Sequence, residues 1–406
     1  MSARFGRRLF LRGSAVVAFG SFLPAFARRA LAQDAARRKT LVFLFLRGAL
    51  DGLHVLTPDE PRLRQLRPQL ALEERLDLGV PGFKLHPSLA GLLPLWKSRQ
   101  LAFVHATGSP DPTRSHFDAQ DYLDLGTPGV NTTADGWLAR ALFETQVGEP
   151  GPLDAVAVSP RLPRSLQGAD GALAFASLDQ LRLRPLAGAR GRQGRDEARA
   201  AFEGLYGAVP DDAVAATGQK AFAALDLLEK KLLSAKPSVA YPNGPIANAL
   251  KPLAQLIKSN VGLRVGCVDS GGWDTHVNEA AVLQQNLRQL GDSLAAFMAD
   301  LGPLAQDVAV VAATEFGRTA RQNGTGGTDH GHGSLAFVLG GSVAGGRVHG
   351  TWPGLADDQL YQGRDLAVTT DLRSVLAAAA ATQLGATDLD DLFPGFTGEP
   401  LAGLFG

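Results

Sequence analysis

The chain has little cysteine: one among 406 residues, Cys267. An intramolecular disulfide and a thiolate zinc cluster are both excluded. In the apolar run "LRVGCVDS" that cysteine reads as a small core residue. Excess charge is missing too. Lys plus Arg and Asp plus Glu number 40 each, for a formal net charge of zero. Nothing basic suggests a nucleic-acid partner. No low-complexity tract and no regular repeat is visible. An H-E-x-x-H helix is lacking, which argues against a zinc peptidase of that type. Beyond the first residues, no apolar run is long enough to span a bilayer, which takes about 20 residues.

What is present begins at the N-terminus. Arg7-Arg8 followed by Leu9-Phe10-Leu11-Arg12 resembles a twin-arginine export signal. A modestly apolar run, Gly13 to Phe26, and the small residues of Ala30-Leu31-Ala32 before Gln33 complete that pattern. Residues 1–33 are therefore expected to be a cleaved signal, read by the twin-arginine export machinery. The mature protein is expected to be periplasmic or secreted, with no stable membrane span.

The mature chain alternates strand and helix patterns. A continuous apolar run at 41–46 suits a strand buried on both faces, and 101–108, 262–270, 307–314 and 334–341 read as further strands. Helical spacing at 86–100, 114–126, 279–302 and 369–386 lies between or after them. This order predicts an α/β fold with a mostly parallel central sheet flanked by helices. The middle, 160–245, is less regular, with short strand candidates at 153–159 and 171–177 and an amphipathic helix at 219–236. It reads as a cap or insertion, and its Arg-Gly run (190–195) as a solvated loop.

Polar residues follow the strand ends, where open α/β sheets bind ligands. Asp51 follows the first strand; Thr113, Ser115 and His116 follow the second. Asp274 and His276, in "GGWDTH", and then Glu315 and Arg318 follow two later ones. The strongest local signal is "GTDHGHGS" (327–334), where Asp329, His330 and His332 stand within four positions. Mixed imidazole and carboxylate donors suit Zn, Mn or Fe, and a carboxylate-rich half could take Mg or Ca. The inventory Asp51, Asp274, His276, Glu315, Asp329, His330 and His332 is enough for one or two divalent ions. His54, His86, His105 and His349 read as packing or surface residues. Ser115 is a candidate nucleophile and Thr113 its rival or a helix cap. Arg114 and Arg318 are candidate clamps for an anionic ester. Asp118 and Asp121 suit the start of the helix.

The segments "FLRGALDGL", "RSHFDAQDY", "DGWLAR", "GGWDTH", "TEFGRT" and "TDHGHG…LGG…GGRVHGTWPGL" resemble an uncharacterised family of exported bacterial proteins. That family is grouped with the alkaline phosphatase-like and sulfatase-like hydrolases, and the resemblance spans about residues 39–402. It implies an alkaline phosphatase-like fold and a metal-dependent hydrolase with a Ser or Thr nucleophile. The implied substrate is a small anionic ester, of phosphate or sulfate, or of polysaccharide type. The alternative is an inactive metal- or ligand-binding module of the same fold. Three departures stand out. Asp274 and His276 are two apart where the superfamily often spaces them by four. Glu315 lacks an adjacent histidine. Pro110 stands where a sulfatase carries its modified residue, so no formylglycine forms.

Overall fold

In the computed structural model, residues 38–177 and 235–406 are described. The expected signal, the Arg-Gly run and nearly all of the 219–236 helix lie outside the described residues. Residues 39–406 form one compact unit.

The strands in chain order are β1 (Thr40–Leu46), β2 (Leu56–Pro58), β3 (Leu76–Asp77), β4 (Phe83–Leu85), β5 (Leu101–Gly108), β6 (Ala155–Ala157), β7 (Ala172–Ala174), β8 (Val265–Ser270), β9 (Val308–Ala313), β10 (Ser334–Gly340), β11 (Arg347–His349) and β12 (Thr370–Asp371). Nine of them form one sheet in the order β11-β5-β10-β9-β1-β8-β6-β7, with β12 also paired to β5. Only β10 runs antiparallel to its neighbours. The remaining three, β2, β4 and β3, make a small separate sheet. The α/β class and the mostly parallel sheet match the sequence expectation.

Strand β1 shows why the apolar runs are continuous. Val42, Leu44 and Leu46 join the core on one face of the sheet. Leu41, Phe43 and Phe45 join the core on the other. Successive side chains point to opposite faces, so burial on both leaves no polar alternation. Among the described residues, five longer helices cover the sheet: α1 (His116–Leu125), α2 (Trp137–Glu144), α3 (Pro245–Lys258), α4 (Glu279–Leu301) and α5 (Leu372–Leu384). Helices α3 and α4 pack on the Val42 face through Leu250, Leu253, Leu287 and Leu294. Helices α2 and α5 pack on the Phe43 face through Trp137, Leu138, Val375 and Leu376.

Two helical expectations change. Residues 86–100 form not one helix but a 3₁₀ segment, Pro87–Leu92, followed by the short helix Leu93–Lys97. Pro87 and Pro94 each sit in a first turn, where a missing N–H is tolerated, and so divide the pattern. Helix α3 was not foreseen, because Pro245 and Pro252 mask its amphipathic spacing.

Because β10 reverses between β9 and β5, those two strands run the same way, as do β1 and β8. Their C-terminal ends therefore share one edge of the sheet. All segments carrying the candidate residues leave from that edge.

Candidate metal centre

Three imidazoles and one carboxylate meet there. His116 opens α1, Asp274 and His276 follow β8, and His330 lies in the loop from β9 to β10. His330 Nε2 is 2.9 Å from His116 Nε2 and 2.9 Å from His276 Nε2. Asp274 Oδ1 is 3.5, 3.0 and 3.2 Å from the Nε2 atoms of His116, His276 and His330. A tetrahedral ion with Zn–N bonds of about 2.0–2.1 Å would hold its donors about 3.3 Å apart. The observed separations straddle that value.

The other side of each ring fixes its tautomer. His116 Nδ1 lies 2.7 Å from Glu315 Oε1. His276 Nδ1 lies 3.2 Å from Asp329 Oδ1, and His330 Nδ1 lies 2.9 Å from the Arg114 carbonyl. Carboxylates and carbonyls only accept, so each Nδ1 must donate and carries the proton. In the neutral rings all three Nε2 lone pairs then face one another and the Asp274 carboxylate. Such acceptors repel unless a cation serves them, and Arg318 reaches only one side of the group, with Nη2 2.5 Å from Asp274 Oδ1 and Nη1 3.5 Å from His276 Nε2. Orientation of a ligand histidine through its far nitrogen is the usual arrangement around bound metals.

The surrounding charges act differently on each member of the group. Burial works against ionised Asp274, but Arg318 beside it holds its carboxyl down at about 2. The hydrogen bond that His116 donates to Glu315 raises the pKa of His116, and burial lowers that of His330. Glu315 is itself buried, yet its hydrogen bonds keep its pKa low, His116 foremost. Its Oε1 also accepts from Gly48 N and Gln120 Nε2, and its Oε2 from Thr314 Oγ1.

Two glycines let these segments close in. Gly48 has φ +120, and a Cβ there would stand 2.6 Å from Asp274 N. At Gly331, between His330 and His332, a Cβ would come within 2.3 Å of the Arg318 carbonyl carbon. Gly331 thus serves backbone approach more than bending.

The sequence candidates separate into groups. Asp274, His276 and His330 converge. Glu315 and Asp329 stand one hydrogen bond behind, on His116 and His276. His332 does not join them: it is buried and stacks on Tyr361, with ring centroids 4.3 Å apart. Asp51 belongs to a second trio with His54 and Glu279, all buried. There it pairs with Arg67 and caps the short helix Gly52–Val55 through Leu53 N. Arg114 places its guanidinium on buried Asp365, through Nε at 3.1 Å and Nη2 at 2.5 Å. Arg318 is spent on the carbonyls of Gly48, Ala49, Trp273 and Thr328, on Asp274 and, at 3.5 Å, on His276 Nε2. Ser115 is the backbone N-cap of α1 and makes no side-chain cap bond. Thr113 Oγ1 accepts from Ser115 N at 3.2 Å. Asp121 pairs with Arg164. His116 had no assigned role in the sequence reading. Its signal was its place next to Ser115 after a buried strand.

The family model described as "Protein of unknown function (DUF1501)" matches residues 96–392. The chain belongs to that family. No curated protein matches this DUF1501 member. Among solved structures, it is similar to the C-terminal periplasmic domain of EcEptC from Escherichia coli in complex with Zn. Identity is 10% over 76% of this chain and 74% of that one, with a TM-score of 0.36. The PsFucS1 sulfatase from Pseudoalteromonas sp. is 11% identical over 89% and 70%, with a TM-score of 0.39. The lipoteichoic acid synthase LtaP from Listeria monocytogenes is 9% identical over 92% and 76%, with a TM-score of 0.34. All three scores are below 0.5, so the chemistry of this DUF1501 site is read from its own residues. Among the described residues, no helix is long and apolar enough to cross a membrane.

Proposed function

We propose that the protein is an exported, metal-dependent hydrolase of phosphate, sulfate or related anionic esters. One observation supports this above the others: His116, His276, His330 and Asp274 bring four potential metal-donor atoms to one small volume. Such an imidazole-rich set suits Zn, Mn or Fe better than Mg or Ca, which prefer oxygen. One ion is proposed. The second trio is already balanced, since Arg67 neutralises Asp51 and burial beside Asp51 pushes the Glu279 pKa up, so that it keeps its proton.

A divalent ion at the first group would act as a Lewis acid on an ester oxygen and favour ionisation of a nearby hydroxyl. Ser115 is the nucleophile in this reading. It lies between Arg114, whose carbonyl holds His330, and His116, a member of the group. It also begins α1, where free N–H groups and the helix dipole favour an anion. Glu315, Asp329 and the Arg114 carbonyl keep the imidazoles in their donor tautomers. Arg318 holds Asp274 ionised and ties it to the strand-end loops.

A second reading, a metal- or ligand-binding module without turnover, is favoured by one fact. The guanidiniums of Arg114 and Arg318 are both engaged within the protein. Metal analysis of the natively exported protein, with a screen of phosphate, phosphonate and sulfate esters, separates the two. Bound metal with turnover is expected. Bound metal with no turnover on any ester supports the module, and protein exported without metal overturns both.

A further inference from the structure

With Arg114 and Arg318 committed, two other guanidiniums beside the centre take on importance. A cavity of about 200 Å³ is lined by Arg321, Arg364, Asp329, Asp357 and neighbouring residues. It adjoins the metal group at two points. Asp329 in its wall holds His276 Nδ1, and Arg364 Nη2 donates to the His330 carbonyl at 2.9 Å. On residue types alone the lining is neutral, but one oxygen of each carboxylate is engaged. Asp329 Oδ1 accepts from His276 and from Asn323 Nδ2. Asp357 Oδ1 accepts from Arg62 Nη2 at 2.6 Å. The cations are less satisfied. Arg364 Nη1 stands 3.6 Å from Asp365 Oδ2, an oxygen already taken by Arg114. Among the described residues, the Arg321 guanidinium has no carboxylate or carbonyl on it.

We infer that Arg321 and Arg364 form an anion subsite next to the metal centre, and that the substrate carries a second anionic group beyond the ester that is cleaved. The ligand identity rests on the hydrolase reading above; the subsite itself does not. Two guanidiniums on one small cavity match the oxygens of a phosphate, sulfate or sulfonate. One oxygen of each acid is already occupied, which leaves the two guanidiniums as the less satisfied charges of the lining.

The test compares two probes with one carbon skeleton, 1-propanesulfonate and 1,3-propanedisulfonate. Neither is expected to strip a metal held by three histidines. Their binding to the purified full-length protein is measured by calorimetry at low salt, with metal content measured in parallel. The disulfonate should bind about tenfold or more tighter than the monosulfonate, the scale of one charge-assisted contact. That preference should fall towards unity in Arg321→Gln and Arg364→Gln, and survive in part in Arg364→Lys. Arg364 also holds the His330 carbonyl, so Arg321→Gln, which touches no member of the metal group, decides if Arg364→Gln disturbs the metal. Equal binding of the two probes by the wild type overturns the subsite, as does a preference unchanged in Arg321→Gln. Loss of metal with the disulfonate preference intact would sink the hydrolase reading and leave the subsite standing.

Discussion

Asp51 and Arg67 form a buried two-point ion pair, with Oδ2 2.5 Å from Nη1 and Oδ1 3.2 Å from Nη2. Their side chains are 1% and 2% exposed. Arg67 also donates to the carbonyls of Ala320 and Thr319, next to Arg318. The pair thus links the turn after β1 to the loop that carries the metal group.

Removing one partner of such a pair leaves a buried charge alone. Asp51→Ala is expected to lower the unfolding free energy by about 3–5 kcal/mol. Bound metal, measured on the folded fraction, should stay at the wild-type level. Denaturant titration and metal analysis of the same sample check this. A variant of normal stability that has lost its metal would return Asp51 to the ion.

Glu315→Gln keeps the shape of the side chain but replaces an acceptor oxygen with a donor. All four partners of Glu315 are donors, namely Gly48 N, His116 Nδ1, Gln120 Nε2 and Thr314 Oγ1. The amide therefore cannot satisfy them all, and His116 loses the anion that fixes its tautomer. Metal affinity should fall by about 10–100-fold, as is typical when such a partner is changed. Competition against a chelator measures it. Asp329→Asn should cost less, because Asp329 is 55% exposed and water can replace it. Equal losses for the two variants would contradict the role given to burial.

Much of the architecture was legible because burial on both faces leaves an unmistakable apolar run, as at 41–46 and 334–340. The last helix was legible too, since the helical spacing at 369–386 brackets α5, which Asp371 caps by accepting from Arg373 N. The site was readable only where its signal is local. His330 and His276 each have an aspartate within two positions. His116 has Asp118 two positions on, but that aspartate suits the helix start, and its partners at the centre, Glu315 and His330, are 199 and 214 residues away. His332 attracted attention by its spacing from His330, but Tyr361, which it stacks on, lies in another loop. Asp51 has the place of a ligand in the chain, and nothing in the sequence announces that Arg67 will fold back onto it.

Acid should destabilise the protein through three other histidines. Burial lowers the pKa of His54, His86 and His105 to about 4 each. In the unfolded chain these rings protonate near 6.5. Between about 6.5 and 4 the unfolded state binds more protons, so stability falls as pH falls through that window. The loss is on the order of 1–3 kcal/mol per ring. Glu279 acts oppositely: its raised pKa means the folded state holds a proton that the unfolded one releases, so stability declines as pH rises above its ordinary range. Urea titrations with chelator present, from pH 4 to 9, should show a maximum near neutrality. The alkaline decline should vanish in Glu279→Gln. A flat acid limb would refute the burial argument for the histidines.

The two hydroxyls at the head of α1 can be told apart by what each is bonded to. Thr113 Oγ1 already accepts from Ser115 N, whereas Ser115 makes no side-chain cap bond. Ser115→Ala should therefore leave stability and metal content close to wild type and lower ester turnover by about a thousandfold or more, as removal of a nucleophile does. Thr113→Ala should cost about 1 kcal/mol of stability, as loss of one hydrogen bond does, with only a modest change in turnover. Single-turnover assays on metal-loaded protein, beside thermal unfolding, give both readouts. If Thr113→Ala silences the enzyme while Ser115→Ala does not, the free hydroxyl is not the one that attacks, and α1 presents the anion to Thr113 instead.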